Sequence, residues 1–249
     1  MIRKDLAWYQ QLCKQFIDNN NDYLYDPKNK ITYYALQKSD ISEASQVGSQ
    51  CMARNPFYLA IGMSAEEYLK DIVVTCQIAA DAGISSVARD SHGNMVGINL
   101  VYSLFTAINV TYGQESFERC GQKFTPFLNA LVQLLKTTPW HEYGDPQRIA
   151  YIDDLAVLKS ASGIGIGFIL PEISVALAQR QGYTHITGIT TEKILEGDAN
   201  VLPNWKVINS IDVASIAGND GKEKAFESIA RQGIRSIQLY MLALNPSKL

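Results

Sequence analysis

Apolar residues recur at helical spacing over residues 4–18, where Leu6, Tyr9, Leu12, Cys13 and Phe16 share one stripe. The polar run from Asp18 to Asp22 closes that helix. It reads as an N-terminal extension over 1–25 that packs on a single domain over 26–249. Ile31 to Leu36 is the first predicted strand, and a shorter helix over about 40–53 follows. Ser64 and Glu67 form a capping box, behind which Ala65, Tyr68, Leu69, Ile72, Val73, Cys76 and Ala79 make an apolar helical face. Gly83 ends that helix. Ser86–Asp90 and Met95–Phe105 read as strands joined by the turn Ser91-His92-Gly93-Asn94.

The second half continues with a long amphipathic helix marked by Phe117, Cys120, Phe124, Phe127, Leu128, Leu131, Leu134 and Leu135, with a kink expected at Pro126. Its apolar residues are assigned to core packing. Thr137 to Gln147 reads as a surface loop. Ile149 to Val157 is a strand whose alternation fails at Asp153-Asp154, where a β-bulge would re-aim one carboxylate. A glycine-rich loop and a helix to about Gln181 follow, then a strand over Ile186–Thr191. Strands near 206–216 and 235–244 flank the turn Gly218–Gly221 and a short helix around 222–232. This mixture, without strict βαβ repetition or internal repeats, predicts a single α/β (mixed α+β) domain.

Composition adds only limits. Of 249 residues, 47% are apolar and 19% charged, as in ordinary globular proteins. A net charge of −3 gives no basic footprint for nucleic acid. Met1 to Leu6 is too polar to open a signal peptide, and no apolar run reaches membrane-span length. Cys13, Cys51, Cys76 and Cys120 lack close pairing and read as free thiols of a cytoplasmic protein, with monomer and homodimer both open. His92, His141 and His185 lack metal-ligand spacing, so no metal is assigned.

The candidate chemistry lies in Asp153 to Gly167. Gly163, Gly165 and Gly167 let backbone N–H groups turn inward, and the helix N-terminus behind them adds positive potential. Together they predict a phosphate or pyrophosphate cradle beside two carboxylates. A dinucleotide-binding reading of these glycines is weak, because the spacing is G-x-G-x-G and lies far from the first strand.

Residues 149–191 resemble motif A of the GNAT superfamily of acyl-CoA-dependent N-acyltransferases. Leu155-Ala-Val157 stands at the matching spacing before Ser162-Gly-Ile-Gly165-Ile-Gly167. Ala88-Arg-Asp90 with Gly93 to Gly97 resembles the second and third family strands, and Ala53 to Pro56 before a capped helix, with the long helix before motif A, is similar to the layout of arylalkylamine N-acetyltransferases. The resemblance implies a GNAT-like fold: a twisted mixed sheet with a V-shaped splay between two parallel strands and helices on both faces. It implies acetyl-CoA (coenzyme A) as cofactor, with backbone groups of Leu155, Ala156 and Val157 pairing with pantetheine. The N–H groups of Gly163, Ile164, Gly165, Ile166, Gly167 and Phe168 would hold the pyrophosphate.

The implied activity is transfer of an acetyl (acyl) group to a primary amine, on a small molecule or a protein, with Asp153 as catalytic base. Three departures stand out: Ser162 replaces the family's Arg or Gln, Asn55 stands where a glutamate precedes the early proline, and Glu192 to Pro203 contains no tyrosine to act as acid. Lys159 is the candidate substitute cation. The competing expectation is a degenerate GNAT-fold protein that binds CoA, or a protein partner, without turnover. Phe57, Tyr58, Tyr112, Trp140 and Tyr143 suggest an aromatic acceptor pocket.

Overall fold

The computed structural model describes residues 6–18, 21–112, 118–119, 121–191, 204–218 and 224–244. Phe117, Cys120, Asn219–Gly221, 222–223 and the stretch 192–203 lie outside these residues, and the helix expected around 222–232 is seen over Glu227–Arg231.

The described elements run α1 (Leu6–Asp18), β1 (Tyr23–Asp26), β2 (Ile31–Ala35), α2 (Ile41–Met52), α3 (Pro56–Ala60), α4 (Ala65–Ala82), β3 (Ser86–Arg89) and β4 (Met95–Ser103). They continue with α5 (Leu104–Thr106), which passes into a π-helical turn over Ala107–Thr111, and α6 (Thr125–Thr137). Then come β5 (Ile149–Val157), α7 (Ile166–Arg180), β6 (His185–Thr191), β7 (Lys206–Asp212), α8 (Glu227–Arg231) and β8 (Ser236–Ala243).

One mixed sheet holds all eight strands in the order β1-β2-β3-β4-β5-β6-β8-β7. Every neighbouring pair is antiparallel except β5 and β6. That parallel ladder runs only from Ile149↔His185 to Ile152↔Gly188. Beyond it, β5 pairs with β4 alone and β6 with β8 alone. The two strands therefore splay, and the expected V-shaped opening is present.

Helices cover both faces because strand side chains alternate between them. Val87 joins the core under α2, α4 and α6, whereas the next residue, Ala88, joins the core under α1 and α7. β4 is buried along its length except at Ser103, as befits a central strand covered on both sides. At Gly97 an added Cβ would stand 2.9 Å from Ile166, so glycine lets α7 press onto the sheet. Asn99 donates to Ser174 at 2.9 Å, and Ser86 donates to the Leu170 carbonyl at 2.8 Å, fixing the register of α7 over the strands.

Several expectations need correction. β1 and α3 escaped the sequence pattern, since a four-residue edge strand and a five-residue helix carry too few periodic positions. Pro126 does not kink α6; it occupies the first turn, where its missing N–H costs nothing. β4 ends at Ser103, whose side chain caps α5. On α4, Val73 is 40% exposed, whereas Asp71 and Thr75 are buried in its place. The ion pair from Arg119 Nε to Asp71 Oδ1, at 3.0 Å, makes that buried carboxylate tolerable.

Candidate active site

The β4–β5 register slips between Leu100 and Val101: Leu100 faces Asp154, Val101 faces Ile152, and Asp153 has no strand partner. This is the bulge that the broken alternation predicted. It sits one residue past the last β5–β6 pair, so Asp153 lies at the point where the strands part.

Hydroxyl groups fix both carboxylates. Tyr102 donates to Asp153 Oδ2 at 2.7 Å, and Tyr112 donates to Oδ1 of the same carboxylate. The Tyr112 and Tyr151 hydroxyls lie 3.0 Å apart. Tyr68 donates to Asp154 Oδ2 at 2.8 Å. Burial pushes the Asp153 carboxyl up to about 6, against the opposing pull of the Tyr112 and Tyr102 hydrogen bonds. Burial, and then the charge of Asp153, push Asp154 well above the usual carboxylate range. Both carboxyls are raised by burial, and they titrate as one pair in which each charge opposes ionisation of the other.

A cavity of about 500 Å³ joins this pair to the glycine loop. Leu155, Val157, Ser162, Gly163, Gly165 and Gly167 line one end, and Asp71, Asp153 and Asp154 line the other. Ile189, Thr190 and Thr191 of the diverging β6 form the opposite wall. Ala156 faces away; it is buried and pairs with Ile98. Among the described residues no strand lies beside the β6-facing edge of β5 from Asp153 onward, so an extended ligand could add there.

The glycine loop has the geometry of an anion cradle. Gly163 and Gly165 have φ of +82° and +87°, a left-handed backbone that turns successive N–H groups to one side. The N–H groups of Gly163, Ile164, Gly165, Ile166 and Gly167 have no hydrogen-bond partner among the described residues. Phe168 differs, because its N–H already donates to the Gly165 carbonyl at 3.0 Å. Space beside Gly163 is open for a ligand. Ser162 turns its hydroxyl to the Lys159 carbonyl at 2.9 Å, and Lys159 itself is exposed just outside the cavity lining. These features fit a pyrophosphate held by backbone groups.

The aromatic expectation divides. Phe57, Tyr58 and Tyr112 line the cavity, whereas Trp140 and Tyr143 do not. The Trp140 indole N–H donates to the Leu135 carbonyl at 2.7 Å, which ties the 137–147 loop to the end of α6. Phe124, just before α6, and Phe127, Leu128 and Leu131 of α6 line the cavity as well as packing the core. Asn55 caps α3, accepting the Phe57 N–H at 2.9 Å. Tyr68, Asp71, Tyr151 and Tyr240 are cavity residues that the sequence reading did not single out. The one available signal was Asp71, a charge within the apolar half of α4.

No protein-family model matches the chain, and no curated protein sequence matches it. Solved structures do. The arylalkylamine N-acetyltransferase 2 of Aedes aegypti is similar over 87% of this chain and 100% of its own, with a TM-score of 0.72 at 16% identity. The C-terminal condensation domain of Ebony, solved with beta-alanyl-dopamine, covers 86% of this chain and 99% of its own, with a TM-score of 0.70 at 13% identity. The Drosophila melanogaster polyamine N-acetyltransferase covers 86% and 100%, with a TM-score of 0.61 at 14% identity. The chain therefore has the GNAT fold in its arylalkylamine N-acetyltransferase-like layout.

Proposed function

We propose that this protein is an N-acyltransferase that moves an acyl group, acetyl in the first instance, from acyl-CoA to a primary amine. One observation carries the reading: a single cavity connects an unpartnered N–H cradle to an oriented carboxylate through the gap between β5 and β6. In this reading the edge of β5 at Leu155 and Val157 holds an extended pantetheine arm, and Gly163 to Gly167 hold the pyrophosphate. When bound there, an acyl-CoA supplies a thioester whose carbonyl an amine can attack.

The acceptor end supports a cationic amine with an apolar body. Asp153 supplies the negative charge, beside the raised carboxyl of Asp154 and an Asp71 carboxylate paired with Arg119, and Tyr58, Phe124 and Phe127 supply the apolar wall. A primary amine with a pKa of about 10.4 is neutral in only about one molecule in two thousand at pH 7. Asp153, ionised near neutrality and more basic than an ordinary carboxylate, takes the proton that the attacking amine must lose. Tyr102 and Tyr112 keep that carboxylate aimed. A thiolate leaves readily, so transfer does not depend on a strong protein acid.

The reading is tested by incubating the protein with radiolabelled acetyl-CoA and a panel of arylalkylamines, diamines and polyamines. Label should pass to at least one amine, and Asp153→Ala should abolish the transfer. One observation favours a second reading, a CoA-binding protein without turnover: Ser162 brings no cation to the cradle. CoA binding with no transfer to any amine would establish that alternative.

A further inference from the structure

The N-terminal helix reaches the glycine loop. α1 lies along α7 in the same direction: Tyr9 meets the start of α7 and Phe16 meets its end. At the far end the Arg180 guanidinium carbon sits 4.7 Å from the Phe16 ring centroid, and Arg180 Nη2 donates to the Phe16 carbonyl at 2.8 Å. At the near end the Tyr9 hydroxyl donates to the Ile164 carbonyl at 2.9 Å. Asn29, in the β1–β2 turn, donates its Nδ2 to the same oxygen at 3.3 Å and to Asp26 Oδ2 at 2.6 Å. Asp26 is fully buried. The Tyr9 ring also closes the underside of the loop, since a Cβ on Gly165 would stand 2.3 Å from its Cζ.

In a trans peptide the carbonyl and the following N–H point in opposite directions, and no described peptide is cis. Two donors on the Ile164 oxygen therefore hold that carbonyl away from the cavity. They aim the Gly165 N–H the other way, towards the cavity that Gly165 lines. Were this peptide to flip, a carbonyl dipole would face a phosphate in place of a donor. A glycine on either side of Ile164 makes such a flip sterically easy, so the orientation depends on contacts from outside the loop.

We propose that Tyr9, assisted by Asn29, is a positioning residue for the donor site, and that α1 is thereby a working part of it. The inference rests on the acyl-CoA reading and assigns Tyr9 no contact with the donor. Tyr9→Phe and Asn29→Ala, singly and together, test it by calorimetric titration with CoA and with pantetheine, which lacks the pyrophosphate. Losing one neutral hydrogen bond to the loop should raise the CoA Kd about two- to ten-fold, and the double variant should lose more. Pantetheine affinity should stay at the wild-type value. In the ligand-free double variant, amide exchange over 163–167 should quicken.

Unchanged CoA affinity in both single variants would overturn the inference and leave the acyl-CoA reading standing. Equal weakening of both ligands, tracking a lowered melting temperature, would reduce Tyr9 to a stabiliser of the fold and also overturn it. A wild-type protein that binds no CoA would remove both. If Tyr9→Phe does not fold, Asn29→Ala alone makes the same comparison.

Discussion

Tyr102, on β4, places its hydroxyl 2.7 Å from Oδ2 of Asp153, the bulged residue of the neighbouring strand. The bulge turns the carboxylate into the gap, and the tyrosine stops it from rotating there. A residue with no ladder partner of its own is thus held by a side chain from the next strand.

Asp153→Asn keeps one oxygen to accept from one tyrosine, turns its amide N–H to the other hydroxyl, and cannot take a proton. It should lower kcat/KM for the amine by about 10²- to 10⁴-fold. The CoA dissociation constant should remain within error of wild type. Steady-state kinetics and titration calorimetry check the two halves separately.

Activity should also report the ionisation of this carboxylate. Once rates are corrected for the neutral fraction of the amine, kcat/KM should rise with pH through about 6, because ionised Asp153 is the competent form. Asp153→Asn should lose that limb. A corrected profile that is flat between pH 5 and about 8 in the wild type would exclude Asp153 as the base.

Stability should follow the same groups with the opposite sign. Asp153 and Asp154 hold their protons more tightly folded than unfolded. Below the unfolded carboxylate pKa of about 3.9 both states carry the protons and nothing is lost. As pH rises through the folded values, the folded state must ionise buried groups, so this contribution to stability declines. Asp154→Asn, which still accepts from Tyr68, should flatten the decline and raise the urea midpoint at pH 8 relative to wild type.

Gly163 and Gly165 share a left-handed backbone but not their surroundings. Gly163→Ala meets open space and should cost only the backbone penalty of about 1–2 kcal/mol. Gly165→Ala meets the same penalty and must also displace the Tyr9 ring. It should destabilise more in urea titration, and it should weaken CoA more, because it disturbs α1 and the loop together.

Lys159 stands exposed in the turn before the glycine loop, next to the cradle in which Ser162 offers no charge. Lys159→Ala should weaken CoA by up to about ten-fold at low salt, with the difference shrinking as ionic strength rises. A CoA Kd identical to wild type at low salt would remove Lys159 from the site.

Much of this site was legible before the fold was known, for local reasons. The glycine spacing, the capping box at Ser64 and Glu67, and the break in alternation at Asp153-Asp154 are properties of a few consecutive residues, and each appears where the pattern puts it. The cavity's other walls were not legible in this way. Tyr68 and Asp71 come from α4, Phe124 from the turn before α6, Phe127 from α6, and Tyr151 and Tyr240 from separate strands. Along the chain Tyr68, Phe124 and Phe127 looked like core residues, and they pack the core too. Trp140 and Tyr143 failed the other way: aromatic residues in a loop suggested a pocket, but the Trp140 hydrogen bond to Leu135 turns that loop onto the end of α6.

The sequence by itself determined the local devices: a backbone that can only turn left-handed at two glycines, a helix that begins there, and a strand forced to bulge at paired carboxylates. These are set by steric and hydrogen-bonding rules acting over a few residues. Tertiary structure alone decided what the devices face. The early end of the β5–β6 ladder opens the gap, tyrosines more than forty residues away in sequence aim and bury Asp153 and Asp154, and a helix 155 residues before Ile164 holds its carbonyl. Burial, and with it the basicity of a carboxylate, arises only when distant segments exclude water together.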